Sequence, residues 1–179
     1  MQLWTLGHGT ASEVDLAALL KQHDIQTVVD VRKIPKSRTH PHVWSDKMAK
    51  WVPALSGAAY EWDPIFGGFR KSLPDSPNVA LRNAAFRAYA DYMQTPQFLE
   101  AFNGLMQRAA EERVAIMCSE SVWWRCHRRL MSDAAVLLHD TGVQHIMHTG
   151  NTMPHKLTEG VRVTENGLLQ YDGGEVPLL

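Results

Sequence analysis

Short apolar runs alternate along the chain with longer stretches of helical period, the pattern that builds a mostly parallel sheet covered by helices on both faces. Leu3 to Leu6 is the first predicted strand, and after a G-H-G turn Ser12 can cap a helix whose apolar positions Val14, Leu16, Ala17, Leu19 and Leu20 form one face. Thr27 to Val31 is a buried second strand. The segment from Lys33 to His42 carries prolines and basic residues without apolar period and is a loop. Helical signals return from Ser45 to Leu55, followed by a short strand at Ala58 to Trp62 and a long Gly- and Pro-containing loop through Pro77.

From Val79 to Glu112 the apolar residues recur at helical intervals, and Thr95-Pro96 divides them into two consecutive helices. Val114 to Met117 is a strand, Arg125 to Thr141 a helix, and Val143 to Met147 another strand, with Gly142 where a helix C-cap is expected. Val161 to Val163 and Leu168 to Tyr171 flank Asn166-Gly167 as a C-terminal β-hairpin. The expected architecture is one α/β domain over residues 1–179, because 45% hydrophobic content in 179 residues supplies one sizeable core.

Charge narrows the partners. A formal net charge of -1, from 18 basic and 19 acidic residues, gives no global drive toward nucleic acid or an anionic membrane, so any anion site is local. The N-terminus lacks the basic leader and apolar run of a signal peptide, and no segment is long and apolar enough to span a bilayer, so the expected location is the cytoplasm, with no membrane partner. In that reducing setting Cys118 and Cys126 are expected as thiols, with metal ligation or redox chemistry open.

In open α/β sheets ligands bind beyond the carboxyl ends of the strands. Three such ends carry chemistry: Gly7-His8-Gly9-Thr10, Asp30-Val31-Arg32, and Cys118-Ser119-Glu120 before a loop closing on Cys126-His127-Arg128. Cys118, between a strand end and a helix N-terminus, lies where backbone N–H groups and the helix dipole favour thiolate; an inert buried cysteine ending a core strand fits the same position. Arg125, Arg128 and Arg129 add cations that lower a thiol pKa and bind anions. Glu120 is a candidate acid/base or a salt-bridged loop residue, and His127 a neutral base near the helix start or a packing histidine. Asp30 and Arg32 leave their strand on one side as a substrate-orienting or structural ion pair.

Lys33, Lys36, Ser37, Arg38, His40 and His42 form the local basic cluster, suited to a phosphate-bearing ligand or to plain solvation. Of the adjacent Trp123 and Trp124, one can cover the site or stack on a ring while the other enters the core. A cysteine-histidine metal site including His8 is a further alternative, although the cysteine spacing matches no standard finger. Cysteine, loop, then arginine is also the order in tyrosine phosphatases and rhodaneses. The loop S-E-S-V-W-W is one residue too long for the phosphatase pattern, lacks its glycines and carries an acid that repels phosphate, which argues against ordinary phosphatase activity.

Taken in order, T-L-G-H-G-T, V-V-D-V-R followed by P-K-S-R, F-G-G-F, Y-A-D-Y-M-Q-T-P-Q-F, M-C-S-E, C-H-R-R-L, and H-I followed by H-K-L-T resemble the uncharacterised family known as domain of unknown function 488. The resemblance runs from about the first strand to Thr158. It implies a compact α/β fold with a polar pocket carried by His8, Thr10, Asp30, Arg32, Ser37, Arg38, Cys118, Glu120, Cys126, His127 and Arg128, and it brings no reaction with it. Gly9 after the histidine and the W-W loop depart from the family pattern and leave the role of Thr10 and the substrate size open.

The leading expectation is an enzyme using the Cys118 thiolate on a small phosphate-bearing or nucleotide-like substrate. Arg32 and Arg128 serve as anion clamps, Glu120 or His127 moves the proton, and no cofactor is required. The alternatives are a non-catalytic nucleotide or nucleic-acid binding domain, with nucleic acid the less favoured partner, and a metal-dependent enzyme with Cys/His ligands. The oligomeric state is left open.

Overall fold

A computed structural model describes residues 1–174. Its strands are β1 (Gln2–Gly7), β2 (Thr27–Asp30), β3 (Ala59–Trp62), β4 (Val114–Cys118), β5 (Gly142–Ile146), β6 (Thr152–Pro154), β7 (Val161–Val163) and β8 (Leu169–Tyr171). The helices are α1 (Glu13–Gln22), α2 (Ser45–Ser56), α3 (Ala84–Met93), α4 (Pro96–Glu111) and α5 (Arg128–His139). The six-stranded sheet has the order β3-β2-β4-β1-β5-β6, with β6 antiparallel to β5 and the other pairs parallel.

The alternation of side chains along the inner strands divides the core in two. Leu6, Val28, Ala115 and Met117 pack against α1 and α2 through Leu16, Leu20, Met48 and Val52. Leu3, Val29, Val114 and Ile116 pack on the opposite face against α3, α4 and α5 through Tyr89, Phe98, Phe102 and Leu130. Helices therefore cover both faces, as the periodicity requires. Cys118 belongs to the α3–α5 side, and so does Cys126.

Local signals act as expected at several ends. The Ser12 side chain accepts from Asp15 N, and Thr95 caps α4 by accepting from Phe98 N, with Pro96 in the first turn. The hairpin of β7 and β8 forms with Val161 opposite Tyr171.

Other expectations are corrected. Val14 is 66% exposed, so the buried face of α1 is Leu16, Ala17, Leu19 and Leu20. Residues 79–83 are irregular, and Asn83 starts α3 by accepting from Ala85 N and Phe86 N. The helix expected from Arg125 begins at Arg128: Trp123–Arg125 is a 3-10 turn, and Cys126 after it is extended. The C-cap of α5 is Asp140, with φ 47 and ψ 44, while Gly142 is the first residue of β5. β6 has three residues and ends on Pro154, too short for a periodic signal.

Candidate functional site

The strand register aligns the chemical strand ends. Gly7 is paired with Cys118 and Asp30 with Met117, so β1, β2 and β4 finish together. Backbone pairing continues past the strands: His8 N donates to Cys118 O at 2.9 Å and Gly9 N to Ser119 O at 2.9 Å. The loop after β4 then folds tightly over β1. A Cβ on Gly7 would lie 1.7 Å from the carbonyl oxygen of Glu120, so this approach requires glycine.

The same fold-back brings the thiols together at the foot of α5. Sγ of Cys118, Sγ of Cys126 and a ring nitrogen of His127 lie within 4.8 Å of one another. Nδ1 of His127 is 3.7 Å from Cys126 Sγ and 3.9 Å from Cys118 Sγ. Cys126 Sγ accepts from the backbone N–H of Arg128 at 3.5 Å and from its Nε at 3.4 Å. It therefore occupies the helix N-terminal anion position expected for Cys118, because α5 starts after Cys126.

The two thiols ionise in opposite senses. Burial opposes charge on Cys126, but the Cys118 hydrogen bond, His127 and Arg128 outweigh it and hold Cys126 well below the ordinary thiol pKa. Donation toward Cys126, reinforced by burial, pushes Cys118 well above it. The two thiols titrate as a pair rather than as independent groups.

Arg128 is 1% exposed. Its remaining donors go to Thr5 Oγ1 at 3.2 Å and to the carbonyl of Glu120. From Thr5 a buried polar chain crosses the protein: Thr5 Oγ1 to His145 Nδ1 at 2.7 Å, His145 Nε2 to His155 Nδ1 at 3.0 Å, and His155 Nε2 to Asp133 Oδ1 at 2.9 Å. Tyr171 closes it by donating to Asp133 Oδ2 at 3.0 Å. Trp123 stacks on His145, with ring centroids 4.2 Å apart and planes 8° from parallel. Burial, then His155 and Arg128, lower the His145 pKa to about 3, so its ring is neutral at physiological pH.

A second buried network joins the ends of β1 and β2. Arg32 Nε donates to Asp30 Oδ1 at 2.8 Å, its Nη2 to Val43 O at 2.7 Å, and its Nη1 lies 3.2 Å from His8 Nε2. Tyr60 donates to Asp30 Oδ2 at 2.7 Å. Burial and the adjacent Arg32 lower the His8 pKa to about 4. Arg32 and Arg128, expected as anion clamps, thus have their donors taken by the protein.

A cavity of about 250 Å³ opens onto Cys118 and Cys126, walled by Tyr89, Phe86 and His127 and rimmed by Lys33, Glu120 and Arg125. The His127 ring packs on Tyr89 at 4.8 Å, and its Nε2 is buried without a partner among the described residues. Phe69, from the F-G-G-F segment, stands at the lip with φ 58 and 89% exposure. Of the expected residues, Arg32, Cys118, Glu120, Cys126 and His127 line this cavity, whereas His8, Thr10, Asp30, Ser37, Arg38 and Arg128 do not. Thr10 and Arg38 are exposed, and Ser37 Oγ accepts from His40 N within its own loop. The sequence reading missed Thr5, Tyr89, Asp133, His145 and His155. The available signal was a polar side chain inside an apolar strand, as at Thr5 in L-W-T-L-G and His145 in V-Q-H-I.

Chemically, the cluster offers two adjacent thiols, one of which receives cationic N–H donors, or two sulfurs and an imidazole nitrogen suited to a thiophilic metal such as zinc. No helix among the described residues is long and apolar enough to cross a membrane. Comparison with curated proteins gave no significant match, and comparison with solved structures gave none either. The sequence profile described as "Domain of unknown function DUF488" matches residues 14–135, which include β2, the Asp30-Arg32 pair, both cysteines and most of α5 but not His8. With more than half of its 179 residues matched, the chain belongs to the DUF488 family.

Proposed function

We propose that the chain is a thiol-dependent enzyme in which the Cys126–Cys118 pair acts on a small anionic, phosphate-bearing or nucleotide-like substrate bound in the cavity above it. The observation that carries this reading is the pair of N–H donors from Arg128 on Cys126 Sγ, 3.5 and 3.4 Å away, which favour charge on that sulfur. Cys126 is then the nucleophile. The proton held by Cys118 is available to the leaving group and is regained on turnover, with Glu120 at the rim or His127 able to move it. Arg128 is a positioning residue, and Lys33 and Arg125 at the rim are the cations offered to the substrate. A reducing, cytoplasmic setting belongs to this reading, because joining the two sulfurs removes the thiolate.

A metal centre is the second reading, favoured by the three donors within 4.8 Å. Against it stands Arg128, whose cation contacts the same sulfur.

The test is alkylation by iodoacetamide against pH, mapped separately at Cys126 and Cys118, with and without chelator. Cys126 is expected to react with an apparent pKa below the free-thiol value of about 8.5, with Cys118 slower. Thiols that stay inert until the protein unfolds would remove the thiol reading. Thiols that react only after chelation, with loss of one equivalent of metal, would replace it with the metal centre.

A further inference from the structure

A second cavity, of about 400 Å³, shares the wall residue Phe86 with the cysteine cavity. Its size falls in the range of roughly 300–1,000 Å³ typical of small-molecule sites. Three cations from separate segments line it: Arg82 ahead of α3, Arg129 on α5, and Lys156 after β6. Glu159 is the single carboxylate in the wall.

The wall also leaves hydrogen bonds unmade. Arg129 Nε, Thr158 Oγ1 and Trp123 Nε1 are buried without partners among the described residues. All three residues line this cavity. These three atoms are covered by the protein, so the groups that face a ligand are the exposed cations and the Trp124 ring. Arg129 has little else to do: its guanidinium lies 5.0 Å over the Phe86 ring, and its Nη1 reaches Trp124 O only at 3.5 Å. Trp124 is 43% exposed beside it and offers an aromatic face.

We infer that this cavity is a nucleotide site, holding the phosphate of a nucleoside monophosphate on Arg82, Arg129 and Lys156 and its base against Trp124. Cations alone would suit inorganic phosphate. The exposed indole and the cavity size add the base. A polynucleotide is disfavoured because three cations on a chain of net charge -1 give little attraction for an extended phosphate backbone. This site is separate from the cysteine cavity, with neither cysteine in its wall, and the inference does not rest on the thiol reading.

The experiment is calorimetric titration of the full chain with AMP, GMP, CMP and UMP, with adenosine and inorganic phosphate as partial ligands and a single-stranded oligonucleotide as competitor. At least one monophosphate is expected to bind at sub-millimolar Kd and more tightly than either partial ligand. R82Q/K156Q should weaken it about tenfold or more, and W124L about fivefold or more. The three substituted side chains are exposed, so the fold is expected to survive, which circular dichroism verifies. Absence of binding by all four monophosphates, binding unchanged in both variants, or tighter binding of the oligonucleotide would overturn the inference. Titrating C126S separates the two readings. Retained nucleotide binding together with unreactive wild-type thiols overturns the thiol chemistry and leaves this site standing, whereas reactive thiols without nucleotide binding overturn this site alone.

Discussion

Replacing Arg128 by Met tests whether the buried guanidinium organises the thiol site. The wild-type side chain is 1% exposed and donates to Cys126 Sγ, Thr5 Oγ1 and the carbonyl of Glu120. Hydrogen bonds from charged groups are worth about 1.5–3 kcal/mol each, so three lost together set an upper bound of roughly 5–9 kcal/mol. Methionine recovers part of this by removing a charge from the interior and filling the stem volume. Breaking a buried charged arrangement from one side costs about 3–5 kcal/mol in comparable cases, and that is the expected loss. With a urea dependence of ~1–3 kcal/mol per molar, the unfolding midpoint, followed by tryptophan fluorescence, should fall by more than about 1 M. In the same variant the apparent pKa of Cys126 alkylation should rise, because two effects that hold the thiolate, the Nε–H donor and the positive charge, are gone. A loss under about 1 kcal/mol with unchanged Cys126 reactivity would refute the reasoning.

Gly7→Ala should be among the most damaging small substitutions in the chain, since its Cβ would stand 1.7 Å from the Glu120 carbonyl oxygen and 2.8 Å from Arg128 Nη2. A loss of about 2 kcal/mol or more is expected in urea unfolding, together with altered Cys126 alkylation; wild-type stability would contradict the tight strand-to-loop contact. Stability should also fall with acid. His8 and His145 have folded pKa values lowered to about 4 and about 3, below an unfolded value near 6.5, so the unfolded chain binds more protons in between. Their contribution is complete above about pH 6.5 and is lost as pH falls toward those folded values, at up to about 1.4 kcal/mol per pH unit for each ring. Urea midpoints that stay flat between about pH 7 and 5 would count against neutral burial of both rings.

The sequence by itself determined the elements whose causes are local. The apolar runs V-V-D-V and V-A-I-M-C make inner strands of a parallel sheet, Ser12 and Thr95-Pro96 start helices, and Asn166-Gly167 turns the hairpin, because capping, turn geometry and side-chain period depend on neighbours within a few residues. It also brought Cys118 and Cys126-His127-Arg128 to one strand-loop-helix junction. Only tertiary structure decided which sulfur receives the Arg128 donors, since that turned on α5 starting at Arg128 rather than Arg125, and on the Trp123–Arg125 turn that places Cys126 at the first helical N–H. It likewise decided that Asp30, Val43 and His8 occupy Arg32. Thr5, His145, His155 and Asp133 meet only because β5 lies beside β1 and α5 packs over them. The Thr5–His145 contact joins residues 140 positions apart, and no local period encodes such meetings; strand order and the close approach of Gly7 to the Glu120 carbonyl do.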